Sequence, residues 1–234
     1  MGDIQFRAEY FPANKPSCWK MLALCIASAL GNWMLSHFVF QVARLPLYLD
    51  TVFTAAACFS LGLWPGLFTG PFLGLVTTII WYQFILGQIE LAWTSAVFTL
   101  CIVAEVLLIC FFCKKLLRTH EAAFLAKPSL PSFIALAPLL LTLVALACIV
   151  VSITGGLIDF ALTLFTTLRP QFPEDAFKLG LLRNNMTVLA SAILSRIPIN
   201  IVDRFFVIFG GYGISLLYRK WLAHGGKGKK GTGE

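Results

Sequence analysis

The sequence predicts an all-α membrane protein with six transmembrane helices and both termini in the cytoplasm. Three observations carry that prediction. The chain of 234 residues is 59% hydrophobic and only 12% charged, with a mean hydropathy of +0.84. A soluble domain is nearer half apolar and a quarter charged. So few charges cannot cover a water-facing surface, and lipid must cover much of the protein. Apolar runs close to the ~20 residues needed to cross a bilayer recur along the chain, parted by short polar or Pro/Gly breaks. Lys and Arg also gather on alternate connections.

Taken in order, residues 1–18 form a polar cytoplasmic segment. No A-x-A-like cleavage site lies close behind the first apolar run, so the first helix is expected to remain as an anchor. That helix runs from Trp19 to Val42. The second starts near Pro46 and ends near Leu63, where Trp64-Pro65-Gly66 punctuates the chain. The third continues to about Leu86 and stops at the polar break Gly87, Gln88, Glu90. The fourth extends from about Leu91 to Phe112 and ends in Lys114, Lys115 and Arg118. Ser132 to about Ile158 is the fifth. A long outer loop with an amphipathic piece is expected near 159–184.

The remaining apolar run, Asn185 to Arg219, would cover roughly 50 Å as one helix, against roughly 30 Å of hydrocarbon. Counting back about 20 residues from Arg219 reaches Pro198, and proline suits a first helical turn. The last helix is therefore expected to begin near Pro198, with 185–195 a separate segment or a kinked extension. Residues 221–234 read as a disordered basic tail. Together, residues 19–220 make a single transmembrane domain.

With six spans and the amino terminus inside, the inner connections carry Arg7, Lys15, Lys20, Lys114, Lys115, Arg118, Lys127, Arg219, Lys220, Lys227, Lys229 and Lys230. The outer ones carry Arg44, Arg169, Lys178 and Arg183. Positive charge is retained on the cytoplasmic side, so this orientation is expected. The expected location is the inner (plasma) membrane of a bacterium.

Chemistry is sparse. The seven cysteines show no zinc spacing, and Cys110-x-x-Cys113 ends an apolar run where cysteine is a small hydrophobe. No H-E-x-x-H, G-x-S-x-G or G-x-x-x-x-G-K-[ST] pattern occurs, so neither catalysis nor a bound metal or cofactor is expected, and nucleic acid is not an expected partner.

Two features stand out. Ala23, Ala27 and Gly31 recur every fourth residue and make a smooth stripe that admits another helix. Gly66, Gly70 and Gly74 make a second stripe, read as internal packing. Charges in apolar runs each need a reason. Asp50 opens the second run, Glu105 sits within the fourth, and the last run holds Arg196, Asn200, Asp203 and Arg204. Positions 196, 200 and 203 share a helical face if the helix continues through Pro198. They make either an ion-pair network pinning this helix to Asp50 or Glu105, or a polar pocket in the outer half of the bilayer. The two uses are compatible.

The stretches 45–54 (LPLYLDTVFT), 61–66 (LGLWPG) and 196–204 (RIPINIVDR) resemble the substrate-binding S components of energy-coupling factor (ECF) vitamin transporters. The A-x-x-x-A of Ala23–Ala27 is similar to that family's first-helix stripe. The resemblance implies six helices with cytoplasmic ends, docking of Ala23, Ala27 and Gly31 on a transmembrane coupling subunit, and two ATPase subunits that power uptake. It also implies a small vitamin-like solute held without catalysis. The candidate binding residues are Arg44, Tyr48, Asp50, Trp93, Asn185, Arg196, Asn200 and Asp203. The alternative is a membrane signalling-input or assembly-scaffold protein that transports no solute.

Reporter fusions at Ala126 and Lys230 are expected to read cytoplasmic. An external reading at either position overturns the predicted topology.

Overall fold

The computed structural model describes residues 17–126, 129–165 and 174–224. The amino-terminal segment 1–16, the middle of the expected outer loop (166–173, with Arg169) and the tail from 225 lie outside the described residues, as does Lys127. The chain is helical, with no strand among the described residues. We number the helices α1 Cys18–Val42, α2 Val52–Leu61, α3 Leu63–Phe84, α4 Ile89–Leu117, α5 Arg118–Ala126, α6 Leu130–Phe165, α7 Asp175–Arg183, α8 Val188–Leu194 and α9 Ile197–His224. Four of them, α1, α3, α4 and α6, are long and apolar enough to cross a membrane. Large apolar side chains cover the outside, among them Leu141, Leu146, Ile149, Ile153 and Leu157 along α6. The chain is thus a multi-pass, membrane-embedded helical protein.

α9 is the central element. Its buried positions, Ile199, Asn200, Asp203, Arg204, Val207, Ile208, Tyr212, Ser215 and Arg219, recur at three- and four-residue spacing. This is one continuous helical face. It packs on α2 and α6. Gly211 makes the approach to α2 possible: a Cβ there would lie 2.7 Å from Ala55 Cβ and 2.9 Å from the Val52 carbonyl oxygen. On α6, Leu136, Leu140, Leu143 and Ala147 turn the same way into the core, against Val106 and Ile109 of α4.

The second run departs from expectation. Only Val52–Leu61 is helical, about 15 Å, half a hydrocarbon thickness. The stretch before it is unwound, with Arg44 at φ 51° and Leu49 at φ 45°. Leu45 precedes Pro46, which disfavours helical backbone at that point. Asn32 of α1 accepts from the Phe53 N–H at 2.8 Å and so caps the first turn of α2. At the other end Gly62 takes φ 96°, which only glycine adopts cheaply, and the chain reverses into α3. Gly66 then faces Cys58 and Gly70 faces Thr54, so the two helices run antiparallel in close contact, as the internal reading of that stripe expects.

The fifth run is longer than expected. α6 continues through Asp159 for 36 residues, so Asp159 lies inside a helix and not at the head of a loop. Its charge does not stop the helix because Lys178 of α7 pairs with it at 2.6 Å with both side chains buried. Residues 175–183 of the expected loop are helical. α8 is separate from α9, capped by Thr187, whose hydroxyl accepts from the Ala190 N–H. α9 begins at Ile197 with Pro198 in its first turn, as the counting-back argument expects.

On α1, Ala23 and Ala27 lie on the outer face, while a Cβ at Gly31 would touch the Phe53 ring at 3.0 Å. The stripe is therefore divided between the outer surface and the interior.

Gly211→Ala is expected to destabilise the protein by about 1–3 kcal/mol through overpacking against α2 backbone. Gly213→Ala, where nothing lies within 4 Å, serves as the control. Equal thermal melting of both variants in detergent contradicts the close approach.

Candidate functional site

The unwound stretch leaves backbone N–H groups without helical partners, and Asp203 takes two of them. Its Oδ1 accepts from the N–H of Tyr48 at 2.8 Å and of Leu49 at 2.9 Å. A leucine at positive φ costs roughly 1–2 kcal/mol. Two charge-assisted hydrogen bonds to an acceptor that is 0% exposed offset that cost. Sixteen residues of α9 separate Asp203 from Arg219, about 24 Å along the helix.

Next to Asp203, Arg204 gathers the remaining acids. Its Nη2 pairs with Asp203 Oδ2 at 2.5 Å and stands 3.7 Å from Asp50 Oδ1. Its Nη1 pairs with Glu105 Oε2 of α4 and donates to Thr51 Oγ1 at 2.9 Å. A guanidinium fully withdrawn from water is tolerable only with such a shell.

A second cluster closes the same region. Glu174, at the head of α7, accepts from the Tyr48 hydroxyl and pairs with Arg196 Nη2 at 2.8 Å. The Arg196 guanidinium also lies over the Phe98 ring, 5.3 Å from its centre. The Lys178–Asp159 pair anchors α7 to α6 nearby. Asn200 donates to Ser152 of α6 at 2.9 Å.

These groups surround a cavity of about 140 Å³ lined by Tyr48, Asp50, Thr51, Phe98, Cys101, Ile102, Glu105, Val151, Arg196, Asn200 and Arg204. That is room for several waters or a small solute. One wall is the unwound stretch, one is α4, one is α6 and one is the start of α9.

The structure brings Tyr48, Asp50, Arg196 and Asn200 to this cavity, with Asp203 directly behind its wall. Arg44, Trp93 and Asn185 are not among the lining residues. Trp93 is 60% exposed, in an outward stripe of α4 with Val97 and Leu100. Asn185 sits at φ 60° in the turn between α7 and α8. Glu105 and Arg204 also line the cavity, although neither was among the candidate binding residues. Sequence reasoning missed Glu174, Asp159 and Lys178 as partners. The acids alone were visible signals, but their bases lie 19 or more residues away.

At the far end of α9, Arg219 pairs with Glu121 of α5 at 2.8 Å and donates to the Phe59 carbonyl, one of the acceptors left open where α2 ends. All seven cysteines are free thiols, and no group of three or more His, Cys, Asp or Glu side chains is placed to hold a metal ion among the described residues.

No family model matches the chain, and no curated protein or solved structure matches it either.

Asp203→Ala strips two backbone donors and one guanidinium of their acceptor at once. It is expected to destabilise the fold by about 3–5 kcal/mol. Asp203→Asn, which retains an acceptor oxygen for Tyr48 and Leu49, should cost less. Chemical unfolding in detergent that ranks the two the other way contradicts the role assigned to the backbone contacts.

Proposed function

We propose that this protein is the membrane substrate-binding subunit of an ECF-type transporter, capturing a small vitamin-like solute from outside for uptake driven by partner ATPases. One observation carries the reading: the non-helical stretch before α2, between apolar helices, borders a charged cavity. In hydrocarbon, unwound backbone survives only where it is buried in protein or lines a cavity, and discontinuous spans are where transporters place their sites. Asp203 holds the Tyr48 and Leu49 N–H groups, and the stretch presents Tyr48, Asp50 and Thr51 to the cavity.

On this reading the unwound stretch plus α2 makes one crossing and α9 another, giving six spans with both ends cytoplasmic. α9 is long enough at 28 residues, and Asp203, Arg204 and Arg219 are buried inside the fold. The cavity then opens toward the outside, opposite the Arg219–Glu121 end. Tyr48, Asp50, Arg196 and Asn200 are the solute contacts, and Asp203 holds the wall behind them. Ala23 and Ala27 are free of the protein's own core and suit close docking of a coupling-subunit helix.

Mass spectrometry of small molecules retained by the purified protein is the direct test. A stoichiometric solute supports the reading, and a bare protein that retains only a protein partner gives the chain to the scaffold alternative. Asn200→Ala is expected to weaken solute binding by roughly 1–3 kcal/mol with little change in melting. Unchanged affinity with lower melting assigns Asn200 to the fold. Ala27→Trp should abolish co-purification with a coupling subunit and leave the isolated protein folded. Unfolding of the isolated variant returns that face to internal packing.

A further inference from the structure

Acids outnumber arginines in the network around the cavity, although the wall itself carries two of each, Asp50 and Glu105 with Arg196 and Arg204. Among the described residues, the carboxylates of Asp50, Glu105, Glu174 and Asp203 meet the guanidiniums of Arg196 and Arg204 in this network. Glu174 is matched by Arg196 at 2.8 Å. Arg204 pairs with Glu105 and Asp203 and stands near Asp50. Asp203 is well served, with two backbone donors and Arg204 Nη2. Glu105 and Asp50 are not. Glu105 uses Oε2 on Arg204, but its Oε1 has no hydrogen-bond donor although the side chain is only 2% exposed and lines the cavity. Asp50 stands 3.7 Å from Arg204, beyond hydrogen-bond range, with a side chain that is 42% exposed and also lines the cavity.

A surplus of acid inside a membrane protein is unstable. Either protons neutralise it or a cation does. Two acidic residues lining one cavity, one of them with a bare buried oxygen, leave a place for positive charge. Arg204 Nε also lacks a hydrogen bond, but it belongs to a guanidinium outnumbered by its acids, so an anion gains little there. Of the other lining groups, Tyr48, Thr51, Arg196, Asn200 and Arg204 are polar, while Phe98, Cys101, Ile102 and Val151 suit the apolar body of an organic molecule better than a hydrated inorganic ion.

We infer that the cavity takes a small organic cation, its charged group paired with Glu105 Oε1 and Asp50 and its apolar body against Phe98, Ile102 and Val151. This rests on reading the cavity as a solute site, and it names the class of solute. Asp50 and Glu105 set the specificity, while Arg204 fixes the Glu105 carboxylate in place.

Three probes with one ring and different charge test this at neutral pH: benzylammonium, benzyl alcohol and benzoate, titrated calorimetrically into the purified full-length protein in detergent. Benzylammonium is expected to bind at least about tenfold more tightly than benzyl alcohol, and benzoate more weakly than either. Glu105→Gln should reduce the ammonium-to-alcohol affinity ratio by about tenfold, as expected for losing one charge-assisted contact. Asp50→Asn should do the same and does not depend on Glu105→Gln folding, since Asp50 makes only the long Arg204 contact among the ion pairs. Equal affinity for the ammonium and the alcohol, a preference for benzoate, or an unchanged ratio in a folded Asp50→Asn protein overturns the cation class while leaving a solute site in place. Failure of all three probes to bind also overturns it, and the solute reading then stands or falls on the retained-molecule measurement.

Discussion

The Arg204 guanidinium lies in the buried stripe of α9, where neither water nor lipid can stabilise its charge, and the surrounding architecture supplies what it needs. Its counter-charges come from three places: its own neighbour Asp203, Glu105 on α4, and Asp50 in the stretch before α2. Thr51 adds a hydroxyl. The cost of an unpaired charge in such a setting is several kcal/mol, larger than most single packing contacts. The positions of α4 and of the unwound stretch relative to α9 are therefore set electrostatically as much as by packing. Asp203 extends the constraint, because its second oxygen holds the Tyr48 and Leu49 N–H groups and keeps the stretch from closing into helix. The cavity is the space left between elements held at arm's length by these polar contacts.

Close packing and polar pairing divide α9 between them. In its middle, Val207, Ile208 and Gly211 press against α2 and the core with no polar partner needed. At both ends a buried arginine meets an acid from another helix, Glu105 at one and Glu121 at the other. The same residues that make α9 look too charged to sit in a bilayer are the ones its neighbours neutralise. Apolarity along the chain measures what a helix shows to lipid only if its polar groups point outward, and in α9 they point in.

What was legible in the sequence follows from this. Long apolar runs gave the membrane-embedded helical class, and the polar spacing 196, 200, 203 gave the face that meets the cavity. The start of α9 was readable because proline's missing N–H and fixed φ tie it to a first turn. The break in the second run was not readable, because an apolar stretch whose N–H groups are held by a distant carboxylate looks like any other apolar stretch. Asp159 read as the head of a loop because its neutralising lysine arrives from another helix. Trp93 was misplaced by helical phase: it shares the lipid-facing stripe of α4 with Val97, Leu100, Leu107 and Phe111, on the far side from Glu105. The Ala23, Ala27, Gly31 stripe looks uniform in sequence, yet Phe53 occupies its last step.

α6 is about 54 Å long, well beyond a hydrocarbon slab of roughly 30 Å. Tilts in the usual range of up to about 40° cannot conceal that excess. One end or both must therefore extend past the hydrocarbon, and the distal turns of α6 hold α7 through the Asp159–Lys178 pair. Beyond Pro138 the helix runs roughly 40 Å without another proline, so a change in lean of about 10° swings its tip by roughly 7 Å. Lean depends on the thickness of the host bilayer. Because Asp159 ties α7 to those turns, any lean of α6 is carried to Glu174 and so to its contacts with Tyr48 and Arg196.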